Sequence, residues 1–138
     1  MRKTTTLLLF FAAATLFAAT NPFPATPAGG VAKAWVEAFP TEPTMKAFLL
    51  KNISADGFKR RSLDDRLKTY RDLKKKYVSL RFDSIVESSP FELHVSLLCT
   101  GDNVKRTFIF AVDAEPPNKL ASISIAELQH HGLGALFH

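Results

Sequence analysis

Between Ser62 and Ser89 the chain changes its hydrophobic period. Leu63, Leu67, Tyr70, Leu73 and Tyr77 recur at spacings of four and three, which marks one face of an α-helix. From Val78 onward the apolar residues fall on every second position, the period of a strand with one buried face. Ser62 stands before the helical run as a cap, Asp64 and Asp65 fall in its first turn, and Lys74, Lys75 and Lys76 fall in its last. That charge order favours the helix dipole at both ends. Arg66 and Lys74 project into or beside the apolar stripe, so they are expected to snorkel or to meet a partner.

Two shorter helices are predicted ahead of this one. Val31, Trp35, Ala38 and Phe39 form a stripe that Pro40 closes, and Thr41 or Thr44 caps a second helix that buries Met45, Phe48, Leu49 and Ile53. Asp56-Gly57 is expected to break the chain. After the long helix the inward residues of four strands are predicted to be Val78, Leu80, Phe82 and Val86; then Phe91, Leu93, Val95, Leu97 and Cys99; then Phe108, Phe110 and Val112; then Ala121, Ile123 and Ile125. Ser89-Pro90, Thr100-Gly101-Asp102-Asn103 and Pro116-Pro117-Asn118 supply short polar turns, which imply antiparallel pairing. The expected class is α+β, with three N-terminal helices packed on one face of a four-stranded antiparallel sheet.

The ends of the chain change the picture in one respect. Arg2 and Lys3 precede an apolar run from Leu7 to about Ala19, which predicts a signal peptide over residues 1–20 and a periplasmic or secreted protein, with no membrane association after cleavage. Residues 21–30, NPFPATPAGG, have the composition of a linker, so the folded domain is expected over 31–127 and a flexible tail over 128–138. Of the 18 basic residues two belong to that leader, which leaves 16 against 13 acidic residues, a net charge of +3. The basic runs Lys59-Arg60-Arg61 and Lys74-Lys75-Lys76 lack interleaved aromatics and are read as solvated surface, so no nucleic-acid partner is expected. Cys99 is the sole cysteine and is expected to be a buried, inert thiol.

Candidate chemistry is sparse. The predicted inward positions include no Asp, Glu or His, whereas His94, Asp83 and Glu87 alternate onto the other face of the sheet. His130, His131 and His138 have no spacing of a closed metal site, and neither a nucleophile elbow nor a Gly-rich phosphate loop occurs. No cofactor and no metal is expected. Ile85, Leu98 and Ile109 are expected on the outer sheet face among His94, Ser96, Thr107, Ser122 and Ser124.

The stretches AWVEAFPTEPTMKAFL, RRSLDDRLKTYRDLK and FIFAVDAEPPNKLASISI, in that order over about Val31 to Ile125, resemble the nuclear transport factor two-like superfamily, also called SnoaL-like or cystatin-like. The likeness is greatest to the secreted domains found ahead of serine-hydrolase and tail-specific peptidase modules, and it rests on packing and turn signatures. Members commonly carry an Asn-Ser-Gly-Asp-like turn after the first helix, where this chain has Phe39-Pro40-Thr41-Glu42-Pro43. No peptidase module follows Ile125, so the chain resembles the accessory domain standing alone.

The resemblance implies a curved sheet and helices enclosing a cone whose mouth holds a small ligand. It places Trp35, Arg66 and Tyr70 nearest the lumen, with ordinary core packing the alternative for Trp35 and Tyr70. The alternative for Arg66 is a surface position or an ion pair with Asp65 or Glu37. It also implies a homodimer through the outer sheet face. The expected function is an exported, non-catalytic binding or accessory domain whose partner is a small apolar ligand or a secreted hydrolase or peptidase. The alternatives are a SnoaL-like isomerase or hydrolase using Asp83, His94 or Arg66, and a regulator of a secreted peptidase.

Overall fold

The computed structural model describes residues 21–127 and 136–137; the expected signal peptide and most of the expected tail, with His130, His131 and His138, lie outside the described residues. Four helices come first: α1 (Pro27–Ala38), α2 (Glu42–Asn52), α3 (Ala55–Arg60) and α4 (Leu63–Tyr77). Each begins at a hydroxyl that accepts an orphan backbone N–H three residues on. Thr26 caps α1, Thr41 caps α2, Ser54 caps α3 and Ser62 caps α4. Caps of this kind are each worth about 1 kcal/mol.

The helical half departs from expectation at two places. Asp56-Gly57 lies inside α3 rather than at a break, so among the described residues four helices precede the sheet and not three. Six residues are too few to display an apolar stripe, and the signals of this helix are its cap Ser54, Asp56 in the first turn and Lys59 and Arg60 in the last. The Pro/Gly segment is also more than a linker. α1 starts at Pro27, Phe23 is buried with its ring edge-on to Phe82 at 5.3 Å, and Ala28 N donates to Pro90 O at 3.1 Å. Gly29 is required where it stands, because a Cβ there would lie 2.1 Å from Pro24 O.

The strands β1 (Leu80–Ser88), β2 (Glu92–Cys99), β3 (Val104–Val112) and β4 (Leu120–Glu127) pair in sequence order, each antiparallel to the next. A two-residue β5 (Leu136–Phe137) pairs with β4 at Ile125 and Ala126, so part of the expected tail returns to the sheet. The architecture is α+β, as the hydrophobic pattern requires. β2 and β3 keep strict alternation. Leu93, Val95, Leu97, Cys99, Phe108 and Phe110 are fully buried.

β1 and β4 do not keep it. In β1 the partners Phe82↔Leu97, Ile85↔Val95 and Ser88↔Leu93 put every third residue on the core face and leave Asp83 and Val86 as extra residues at two bulges. Ile85 therefore packs against the core instead of the outer face, while Val86 is 57% exposed. Val78 is exposed as well, because it ends α4 with φ 66 instead of starting a strand. In β4 the shift at Ala111/Val112 makes Ala121 the extra residue, exposed, and turns Leu120 inward in its place. Phe91, one residue before β2, is 39% exposed rather than inward.

The junction between helix and sheet is tied down by backbone. Gly101 N donates to Tyr77 O at 2.7 Å, Thr100 N donates to Ser79 O at 3.0 Å, and Lys74 Nζ donates to Val78 O at 2.6 Å. A side chain at position 101 would start 2.4 Å from Lys76 O, so the β2–β3 turn and the end of α4 approach as closely as only glycine allows. Under this junction Arg106, 3% exposed, donates to both carboxylate oxygens of Asp102 at 3.0 and 2.6 Å and stacks 4.6 Å over the Tyr77 ring. Arg106 occupies an inward position in phase with Phe108 and Phe110, a buried charge that the expected inward set does not include.

Candidate functional site

α4 carries the site. Arg66, Thr69, Tyr70 and Leu73 stand at i, i+3, i+4 and i+7, one face of the helix, and all four line a cavity of about 300 Å³. Met45, Leu49 and Ile53 of α2 and its exit form a second wall, and Leu120, Ile123 and Ile125 of β4 form a third. Trp35 reaches it from α1, and Arg61 reaches it from the joint between α3 and α4. The volume falls at the lower end of the roughly 300–1,000 Å³ typical of small-molecule sites.

The three residues expected nearest a lumen are thus brought together. Trp35 and Tyr70 are also core residues, 5% and 6% exposed, so the cavity wall and the core are the same side chains here. Trp35 lies 5.4–5.8 Å from the rings of Phe39, Phe108 and Phe110, which fixes its plane. Tyr70 donates its hydroxyl to Phe39 O at 2.7 Å. Burial, followed by the Glu42 charge, raises its phenol above the ordinary value, so the hydroxyl remains a donor.

Arg66 makes neither of the ion pairs expected of it. Its Nε donates to Arg61 O at 3.0 Å, its Nη2 donates to Gly57 O at 2.9 Å, and its guanidinium lies 5.8 Å from the centre of the Phe58 ring. Its proton affinity is lowered by burial first and then by the Arg61 and Arg60 charges. Arg61 in turn donates to Asp65 O and to Thr69 Oγ1. Sequence reasoning misses Arg61 and Thr69 as site residues. The helical spacing from Arg66 is a signal that finds Thr69, but Arg61 becomes part of the wall only through the unexpected α3.

Of the residues of the enzyme alternative, Asp83 and His94 are separated from Arg66. Asp83 pairs with Lys105 at 3.1 Å, and its carboxyl is held below the ordinary value by hydrogen bonds from Lys105 and Ser96. His94 faces Glu92 at 2.6 Å and Glu87 at 3.9 Å. Both belong to the outer face, where His94 lies opposite Glu87 and Ile109 in the ladder, whereas Arg66 is on the cavity. Cys99 is buried, and no described group of His, Cys, Asp and Glu could hold a metal ion.

A second depression, about 570 Å³ and more open, runs past Thr26, Val31, Glu37, Phe48 and Lys51 to Pro117 and Asn118. None of the three expected residues lines it. Among the described residues no helix is long and apolar enough to cross a membrane. No protein family, curated protein or solved structure is found to match the chain.

Proposed function

We propose that the chain is an exported, non-catalytic binding domain of nuclear transport factor two-like build, which holds a small apolar molecule between α4, α2 and β4. One observation carries this reading: Trp35, Arg66 and Tyr70 share a single cavity, and among the described residues that line it there is no Asp, Glu or His. An apolar enclosure with a few fixed polar groups suits retention of a ligand. General acid–base chemistry needs a titratable side chain within reach of the reacting atoms, and the nearest expected candidates, Asp83 and His94, belong to the other face of the sheet. The cone is supported by bulges in β1 and β4, because each increases local twist and curls a sheet around its contents. Export is supported by the basic and then apolar leader.

The test is titration of the full chain with N-phenyl-1-naphthylamine, a neutral apolar fluorophore. Saturable one-to-one binding is expected, with energy transfer from Trp35, the sole tryptophan. Ile123→Phe, which fills the cavity, should abolish it without unfolding the protein. A folded wild-type protein that neither brightens the probe nor quenches Trp35 overturns the proposal. Small-molecule turnover that disappears in His94→Ala overturns its non-catalytic part.

A further inference from the structure

Resting on the binding reading above, we infer that the occupant of the cavity is an amphipathic acid, with a carboxylate head at the α3–α4 joint and an apolar body among Trp35, Met45, Leu49 and Ile125. Four arginines of this chain form two contrasting pairs by their side-chain hydrogen bonds. Arg71 holds Glu42 through two hydrogen bonds of 2.9 and 3.0 Å, and Arg106 holds Asp102 in the same forked manner. Arg61 and Arg66 have only neutral acceptors: two backbone carbonyls for Arg66, and one carbonyl with one hydroxyl for Arg61.

Asp56, Asp64 and Asp65 are close in sequence, yet among the described residues no carboxylate is within ion-pair reach of either guanidinium. Two like charges beside an apolar space repel each other and gain from any anion that joins them. A guanidinium has five N–H donors in a planar fork. Arg66 uses Nε and Nη2 on its own backbone, which leaves donors over for a ligand.

Trp35 lines the same space. The Trp35 side chain is 5% exposed, and its indole N–H has no acceptor among the described residues. Apart from Ser122, the described lining contributed by α2, its exit and β4 is aliphatic or thioether: Met45, Leu49, Ile53, Leu120, Ala121, Ile123 and Ile125. Cations at one end and a dry wall at the other match a carboxylate on a short hydrocarbon body, and a carboxylate accepts the guanidinium fork through both oxygens.

The experiment compares octanoate with octanol on the full chain at neutral pH and low salt, read by Trp35 fluorescence. Octanoate is expected to bind about tenfold more tightly, the scale of one charge-assisted hydrogen bond in a partly exposed site. Raised salt and Arg61→Gln should each shrink that preference toward unity, and Arg66→Lys should reduce it while keeping the charge. Arg71→Gln should reduce the preference far less than Arg61→Gln, because neither Arg71 nor its partner Glu42 lines the cavity. Octanol binding as tightly as octanoate, or a preference that survives both Arg61→Gln and Arg66→Lys, overturns the acid head and leaves the apolar cavity standing. Failure of octanoate, octanol and the neutral probe together overturns both.

Discussion

The inner surface of the sheet is solid at one side and hollow at the other. Along β2 and β3 it is filled by Val95, Leu97, Cys99, Phe108 and Phe110, all wholly buried, with the rings of Trp35 and Tyr77 resting on Phe108 at 5.8 and 6.1 Å. Along β4 the inward residues are Leu120, Ile123 and Ile125, and about 300 Å³ stays open between them and α4. The difference is one of side-chain size and register, not of architecture. Aromatics in strict alternation reach the helices, whereas aliphatic residues on a bulged strand do not. A single fold thus has a region that specifies stability and a region free to accept a guest.

Substitutions that alter volume put this contrast under the strongest stress. Phe108→Ala should cost about 3–5 kcal/mol in chemical denaturation, because a fully buried ring leaves a void that its neighbours cannot close. Next in size is a paired comparison. Val95→Phe should cost about 1–3 kcal/mol through overpacking, while Ile123→Phe should cost less than about 1 kcal/mol because the space exists. Equal costs would mean that the β4 side is not hollow in solution. Tyr70→Phe should lose about 1–2 kcal/mol, since it leaves Phe39 O without its donor.

Acid should act on the solid side more gently. The carboxyl of Asp102 is held below its ordinary value chiefly by the hydrogen bond from Arg106. Its stabilisation is therefore complete above the unfolded value, about pH 4, and is lost as the pH falls through the lower folded value. Asp102→Asn should remove this part of the acid slope in a melting-temperature profile. The smallest effect is expected on the outer face. His94→Ala should change stability by less than about 0.5 kcal/mol and leave binding of the neutral probe unchanged, as its partners Glu87 and Glu92 are exposed.

The solid side is legible in the sequence, and the hollow side is legible only in outline. Leu93, Val95 and Leu97 alternate without interruption, and the caps Thr41 and Ser62 announce their helices, so local pattern and final structure agree. Bulges are invisible to a count of two. Asp83, Val86 and Ala121 each insert one residue, and each reverses the face presented by its neighbours along the strand, which is why Ile85 and Leu120 turn inward against the simple alternation. α1 is hidden by composition. Pro27 and Gly29 read as linker chemistry, although a hydroxyl followed by proline is also how helices begin. Trp35, Arg66 and Tyr70 can be grouped from helical spacing and resemblance, while Arg61 requires knowledge of how α3 folds back.

The close approach at Gly101 has a further consequence for traffic into the cavity. α4 is anchored at its far end to the β2–β3 hairpin, while its near end, besides the packing of Leu63 and Leu67, meets a one-and-a-half-turn segment held by carbonyl contacts from Arg66. A lever clamped on one side swings on the other, so any doorway for a guest opens where Arg61 and Arg66 stand. Amide hydrogen exchange should record this as faster turnover across 55–61 than at Tyr77 and Gly101, and uniform protection along both would remove the hinge.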